Sequence, residues 1–160
     1  LVTSQTAPAD GTYLVGNTLD FTITWNDIIQ VSGTPRLELT LSTGTVYADY
    51  LSGDNSNTLT FRYTILSSDQ DLDGIGLNIG IDLNGGSLLD NADNPAELNF
   101  SDPGTTGINI DAIVSLITSV TPPTDGMNLL GDDLDFTVNF DDNIVAVSYT
   151  HLTLPTTPYV

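Results

Sequence analysis

Residues 19–25 read Leu19-Asp20-Phe21-Thr22-Ile23-Thr24-Trp25, and this short stretch decides the fold class. Apolar and polar side chains alternate in it with a period of two, which is the pattern of a β-strand with one buried face and one wet face. The same alternation recurs in residues 37–41 and 59–65. The sequence therefore predicts long strands that cover a common core.

Shorter apolar stretches with the same character flank these three. Further strands are predicted in residues 1–6, 46–51, 77–83, 96–100 and 107–110. Turn-forming pairs such as Asp10-Gly11 and Asn84-Gly85 separate the stretches, and no segment has an amphipathic helical stripe. Strands at this spacing predict an all-β fold, an antiparallel Ig-like β-sandwich of the Greek-key type.

The deciding stretch occurs twice in the chain. Residues 134–140 read LDFTVNF, and they belong to a longer copy in which residues 116–142 reproduce residues 1–27 without a gap and with about half of the positions identical. A period of about 115 residues is too long for a solenoid and fits a tandem array of whole domains. We therefore predict an Ig-like repeat in residues 1–112 and the truncated start of a second repeat of the same type in residues 113–146.

The repeat pattern ends before the C-terminus. Residues 147–160 resemble a translated sequencing adapter, and we expect this tail to be non-biological. A divergent strand is the alternative, because Tyr149, His151 and Thr153 alternate. Since Leu1 follows no initiator methionine, we expect the sequence to come from inside a longer protein.

The charge of the chain narrows the range of functions. There are 21 acidic residues against two arginines, no lysine, and a formal net charge of -19. Nucleic-acid binding and anionic membrane surfaces are disfavoured, because both require Lys and Arg to meet phosphates. All acids except Glu38 and Glu97 are aspartates, which suit turns and oxygen-rich cation sites. The simpler interpretation is that the acidic surface keeps the chain soluble.

Catalysis has few suitable residues in this chain. Without cysteine there is no disulfide, thiol nucleophile or thiolate metal site. The single histidine, His151, lies in the tail, and lysine is absent, so the rest of the chain offers neither an imidazole base nor a Schiff-base amine. We do not expect an enzyme, and no apolar run is long enough to insert into a membrane.

Several motifs, taken in order, resemble the Ig-like or cadherin-like tandem repeats of large bacterial surface proteins and RTX-type adhesins. They are Ala7-Pro8-Ala9-Asp10-Gly11-Thr12-Tyr13, Gly16-Asn17-Thr18-Leu19-Asp20-Phe21-Thr22, Ser32-Gly33-Thr34-Pro35-Arg36-Leu37, Asn57-Thr58-Leu59-Thr60-Phe61-Arg62-Tyr63-Thr64, Asp71-Leu72-Asp73-Gly74-Ile75 and Asp90-Asn91-Ala92-Asp93-Asn94. Asp93 departs from these repeats, which commonly have glycine there. The resemblance implies a secreted or cell-surface location, a spacer or adhesive role and, often, bound calcium. Neighbouring repeats and a cell-surface glycan or protein are the partners that it implies.

One group of aspartates is a candidate calcium site. Asp69, Asp71 and Asp73 precede Gly74 at alternate positions, as in the first half of an EF-hand loop. The twelfth position of such a loop would be Gly80, where a bidentate Glu is required, so an EF-hand is rejected. The three aspartates would therefore need oxygen ligands from elsewhere, and a solvated acidic turn is the alternative.

Two further groups extend the calcium hypothesis. Asp90, Asp93 and Asn94 form a second cluster of oxygen atoms, for which an ordinary turn is again the alternative. Asp111 precedes the linker between the repeats, where a cation could stiffen an array. Asp125 opens the first turn of the next repeat, but Asp125-Gly126 is also a common turn pair.

Two alternatives to a calcium-stabilised spacer remain open. A carbohydrate-binding accessory module of an exported enzyme would need an exposed aromatic platform around Tyr47 or Tyr50. A surface-layer or filament repeat would need no metal. Arg62, which points outward from its strand, is expected to pair with a neighbouring aspartate.

Overall fold

The computed structural model describes residues 1–144. Within them the chain divides into two compact units, the first of which is Leu1–Ile113, while the second begins at Val114. Every regular element in the described residues is a β-strand, which confirms the all-β class. Residues 147–160, predicted to be a non-biological tail, lie outside the described part of the chain.

Two sheets make up the first unit. Its strands are β1 (Val2–Thr6), β2 (Gly11–Tyr13), β3 (Thr18–Ser32), β4 (Arg36–Leu41), β5 (Gly44–Ser52), β6 (Ser56–Thr64), β7 (Gln70–Asp71), β8 (Gly76–Asp82), β9 (Ser87–Asp90) and β10 (Ile108–Asp111). The larger sheet has the order β1-β3-β6-β5-β4-β8, with β9 also paired to β3. The smaller sheet has the order β2-β10-β7. The arrangement is sandwich-like.

The alternating stretches supply the core. On β3, the apolar members of the deciding stretch are fully buried, and Phe21 lies opposite Phe61 of β6. From the second sheet, Ile108 and Ile110 pack into the same cluster. Burying an aliphatic or aromatic side chain of this size contributes about 1.5–3 kcal/mol, so the alternation fixes both the strands and their inner face.

Three local predictions differ from the structure. The strand expected in residues 96–100 is wrong, because this part of the chain forms only isolated bridges, from Pro95 to β9 and from Asn99 to β8. β3 continues beyond Trp25 to Ser32 through an irregularity in its pairing with β6. β2 pairs with β10 in parallel, although the sequence predicts an antiparallel sandwich.

The chain enters and leaves the first unit at opposite ends of its strands. Val2 lies opposite Trp25, at the level of the start of β6, whereas the main-chain N–H of Ala112 donates to the carbonyl of Asp69, beyond the end of β6. These levels are separated by at least six strand residues, or about 20 Å. We call the end near Ala112 the exit end.

A hairpin forms the regular part of the second unit. It consists of β11 (Ile117–Thr121) and β12 (Thr137–Phe140). Ile117 pairs with Phe140 and Thr121 with Thr137, and a register shift follows Ile117. Subtracting the repeat offset of about 115 from each number gives the register of β1 with β3, including the shift after Val2. Equivalent residues of the two units therefore have the same strand pairing.

The apolar face of this hairpin is exposed within the described residues. Phe136 is 63% exposed, whereas its counterpart Phe21 is 1% exposed. Leu134, Val138 and Phe140 are exposed too. In the first unit, the corresponding face of β3 packs into the core together with Ile108 and Ile110 of the smaller sheet.

Candidate functional site

Asp69 and Asp71 lie at the exit end of the first unit, and each is only 4% exposed. They flank Gln70 on β7, which pairs with β10 so that Asp71 lies opposite Ile110. Alternate residues of an extended segment point to the same side, so both carboxylates face the interior. The structure thus buries two of the predicted ligands, on the same side of this segment.

Asp69 is held by two strong hydrogen bonds. Its Oδ2 accepts from the hydroxyl of Tyr63 at 2.5 Å and from the main-chain N–H of Leu66 at 2.8 Å. Burial, and then the hydrogen bond to this carboxylate, raise the pKa of Tyr63 well above its ordinary value. Asp69 therefore ties the loop after β6 to the core and stabilises its own charge by these donors.

Asp71 is only half satisfied. Its Oδ2 accepts from the main-chain N–H of Ser42 at 2.9 Å. Its Oδ1 is buried and has no hydrogen-bond partner among the described residues. Burying an unsatisfied polar atom is costly, and burying an unpaired carboxylate costs more. This oxygen atom is the least satisfied polar group of the site.

Asp73 does not join the buried pair. Its side chain is exposed, and the next residue, Gly74, has a φ of 105° and packs against the main chain of Thr106. Among residues 1–144, no three His, Asp or Glu side chains are grouped closely enough to hold a metal by themselves. The DxDxD pattern thus separates into an interior pair and a surface carboxylate.

The second predicted cluster forms a closed turn. Asp90 Oδ1 accepts from the main-chain N–H groups of Ala92 and Asn94 at 2.8 and 2.9 Å, and the Asn94 amide also donates to Asp90. These hydrogen bonds hold the pKa of Asp90 below its ordinary value. Asp93 has a φ of 62°, the left-handed conformation that glycine usually adopts at this point of the turn. The cluster already has partners for its carboxylate.

Asp111 lies beside the buried pair in the sheet. It is half-buried at the end of β10 and lies opposite Gln70. Opposite residues of an antiparallel pair share a face, so its carboxylate is on the other face of the sheet from Asp71. The structure places the linker candidate next to the loop candidate, on a separate surface.

Both arginines lie in a row of alternating charge across five strands of the larger sheet. Asp20 pairs with Arg62, Arg62 with Asp49, Asp49 with Arg36, and Arg36 with Asp82. The Arg62 guanidinium donates twice to Asp20, at 2.6 Å each, and the Arg36 Nε donates to Asp82 at 2.8 Å. The charge-assisted hydrogen bond from Arg62 is the main reason that the pKa of Asp20 is lowered. The predicted pairing of Arg62 is thus a part of this charge row.

The two tyrosines proposed as a sugar platform are both engaged. The Arg36 guanidinium lies 3.8 Å from the centre of the Tyr47 ring and covers one face of it. Tyr50 packs edge-on against Phe61, and its hydroxyl accepts from the main-chain N–H of Asp54. Both rings are half-buried, so neither presents two free faces.

Comparisons of the chain with protein-family models, with curated proteins and with solved structures found no match. In the part of the chain that the structure describes, no helix is long and apolar enough to cross a membrane.

Sequence reasoning did not predict the unequal roles of the aspartates at the exit end. Their spacing suggests three equivalent ligands, whereas only Asp71 has a buried oxygen without a partner. The approach of Ser42, from the turn after β4, and the position of Ile110 create this difference. The alternating pattern around Tyr63 was the one signal of burial in the sequence, because it predicts a buried hydroxyl close to the loop that contains Asp69.

Proposed function

We propose that this chain is a structural and adhesive repeat module of a large secreted or cell-surface bacterial protein, a spacer or adhesion stalk stabilised by calcium. The supporting observation is the pair of matching hairpins, in which β11 and β12 repeat the register of β1 and β3. A chain that restarts the same strand pairing after a domain-sized interval has the organisation of a tandem array. Arrays of this kind commonly serve as spacers.

The path of the chain through the first unit supports the same proposal. Because the chain enters at one end of the strands and leaves at the other, each module would add its length to an array. We further propose an Ig-like Greek-key fold for the module. The order β1-β3-β6 supports it, since neighbouring strands in this sheet are not consecutive along the chain.

The charge distribution supports a role for calcium. Lysine is absent, and both arginines are bound in the charge row. The exit end therefore holds carboxylates without a neighbouring cationic side chain among the described residues. A divalent cation would relieve the repulsion between modules. The partners of a module would be neighbouring repeats and a cell-surface glycan or protein.

Chains with two, three and four tandem copies of residues 1–115 test this function. Small-angle X-ray scattering in calcium should show a maximum dimension that rises by at least about 20 Å for each added copy, the separation of the entry and exit levels. The same chains in a chelator show how far the extension depends on calcium. Compact particles whose dimension barely rises with copy number would contradict a spacer role.

A further inference from the structure

The buried carboxylates of Asp69 and Asp71 at the exit end are only partly compensated by neighbouring side chains. Asp69 and Asp71 both face the interior, two residues apart, and both are almost completely buried. Asp69 has two donors for its charge, whereas one oxygen of Asp71 has none among the described residues. A buried carboxylate is tolerated when it is paired, fully hydrogen-bonded or bound to a metal ion.

Within residues 1–144, no cationic side chain is available to neutralise Asp71. The chain contains no lysine, its only histidine lies outside the described residues, and both arginines are bound to aspartates on the larger sheet. Asp73 and Asp111 add negative charge on the adjoining loop and strand. The electrostatic potential at the Asp71 carboxylate therefore favours a small cation.

We propose that the Asp71 carboxylate is the anchoring ligand of a calcium ion at the exit end of the module, where its unpartnered Oδ1 supplies the first protein oxygen. Calcium accepts six to eight oxygen atoms in flexible geometry and readily uses main-chain carbonyls and water. It can therefore bind where no three carboxylates converge. This inference rests on the proposed calcium-stabilised function and assigns the site to Asp71 rather than to Asp90, Asp93 or Asn94.

The site would couple the cation to three segments. Asp71 Oδ2 holds the turn after β4 through Ser42, β7 pairs with β10, and the carbonyl of Asp69 accepts from Ala112 at the start of the linker. An ion at Asp71 would therefore fix the segment from which the chain leaves the module. Metal binding at this point is a means of setting the stiffness of the array.

Urea unfolding of the full chain, followed by the fluorescence of Trp25, tests the proposal. Trp25 is the only tryptophan and lies in the core of the first unit, so its signal reports on that unit. Calcium at one hundred times its dissociation constant should raise the folded-to-unfolded ratio about 100-fold. Asp71→Asn should abolish this response, while Asp73→Asn, which removes the same charge from an exposed position, should retain it.

The stability of Asp71→Asn without calcium shows whether the unpaired charge of Asp71 is itself destabilising. In a chelator, Asp71→Asn should be at least as stable as the wild-type chain, because it removes an unpaired buried charge while its amide oxygen can still accept from Ser42. A wild-type chain without a calcium response, or an equal response in Asp71→Asn, would overturn the proposal. Equal stabilisation by magnesium, or by sodium at matched ionic strength, would also overturn it, since it indicates charge screening alone.

A second measurement covers the case in which Asp71→Asn does not fold. Terbium should bind the wild-type chain with luminescence sensitised by Tyr63, which is bonded to the neighbouring Asp69, and calcium should displace it. Terbium that binds without displacement by calcium would contradict the site. Growth of the array with copy number in a chelator does not depend on this site, so a missing calcium response and a failed spacer function give different results.

Discussion

The hydrogen bond between Tyr63 and Asp69 yields the sharpest stability prediction. Tyr63→Phe removes one hydroxyl and leaves the buried ring in place, so Asp69 retains only the N–H of Leu66 as a donor. Hydrogen bonds to charged groups contribute about 1.5–3 kcal/mol. Because the carboxylate stays buried, we expect the free energy of unfolding to fall by an amount in this range.

Thermal unfolding and urea unfolding, both followed by Trp25 fluorescence, measure this change. For a domain of this size, 1 kcal/mol corresponds to about 4 °C, so the Tm of the first unit should fall by about 6–12 °C. The matched control is Tyr50→Phe, which removes a hydroxyl bound to the exposed main chain of Asp54 and should cost less than about 1 kcal/mol. If the two variants are equally stable, Asp69 is not held by Tyr63 as described.

Three further outcomes can be checked by the same unfolding measurement. Gly74→Ala should destabilise the first unit by about 2–4 kcal/mol, because the added Cβ would clash with the Thr106 carbonyl and the main chain has a positive φ. Gly104→Ala, which also has a positive φ but has open space, should cost about 1 kcal/mol. Equal effects of the two variants would contradict the close packing at Gly74. Phe21→Ala should cost about 3–5 kcal/mol, while Phe136→Ala, at the exposed counterpart, should cost under about 1 kcal/mol by circular dichroism of the hairpin; a large loss there would mean that Phe136 is covered. Arg62 lowers the pKa of Asp20, so the contribution of this ion pair to the free energy of unfolding is present above the ordinary value of 3.8 and is lost as pH falls through the lower folded value. Asp20→Asn should therefore remove under about 1 kcal/mol at pH 7 and flatten the dependence of stability on pH between about pH 4 and 2. An unchanged pH dependence would exclude the pair from acid stability.

The alternating stretches made most of the larger sheet predictable. A buried face requires apolar side chains at every second position, so the alternation in residues 19–25, 37–41 and 59–65 predicts these strands from the local sequence. Short strands carry little such signal. β2, β7 and β9 were not predicted, because pairing partners distant in sequence, not their own composition, define them.

The candidate site was predictable only as a group of residues. Acidic spacing indicates oxygen ligands, but it does not distinguish a buried carboxylate from a surface one. Asp73 and Asp71 are two positions apart in the same motif, yet one is exposed and the other almost fully buried. The difference arises because β7 pairs with β10 and stops before Asp73.

The all-β class, the repeated opening of the module and the strongly acidic character can be read from the sequence, because periodicity, recurrence and composition are properties of the chain alone. The folded structure is needed to see which carboxylates are buried together, which oxygen lacks a donor and which aspartates pair with the two arginines. Those relations depend on segments far apart in sequence. The turn at Ser42, the strand at Ile110 and the loop at Asp69 meet only when the sheets have formed.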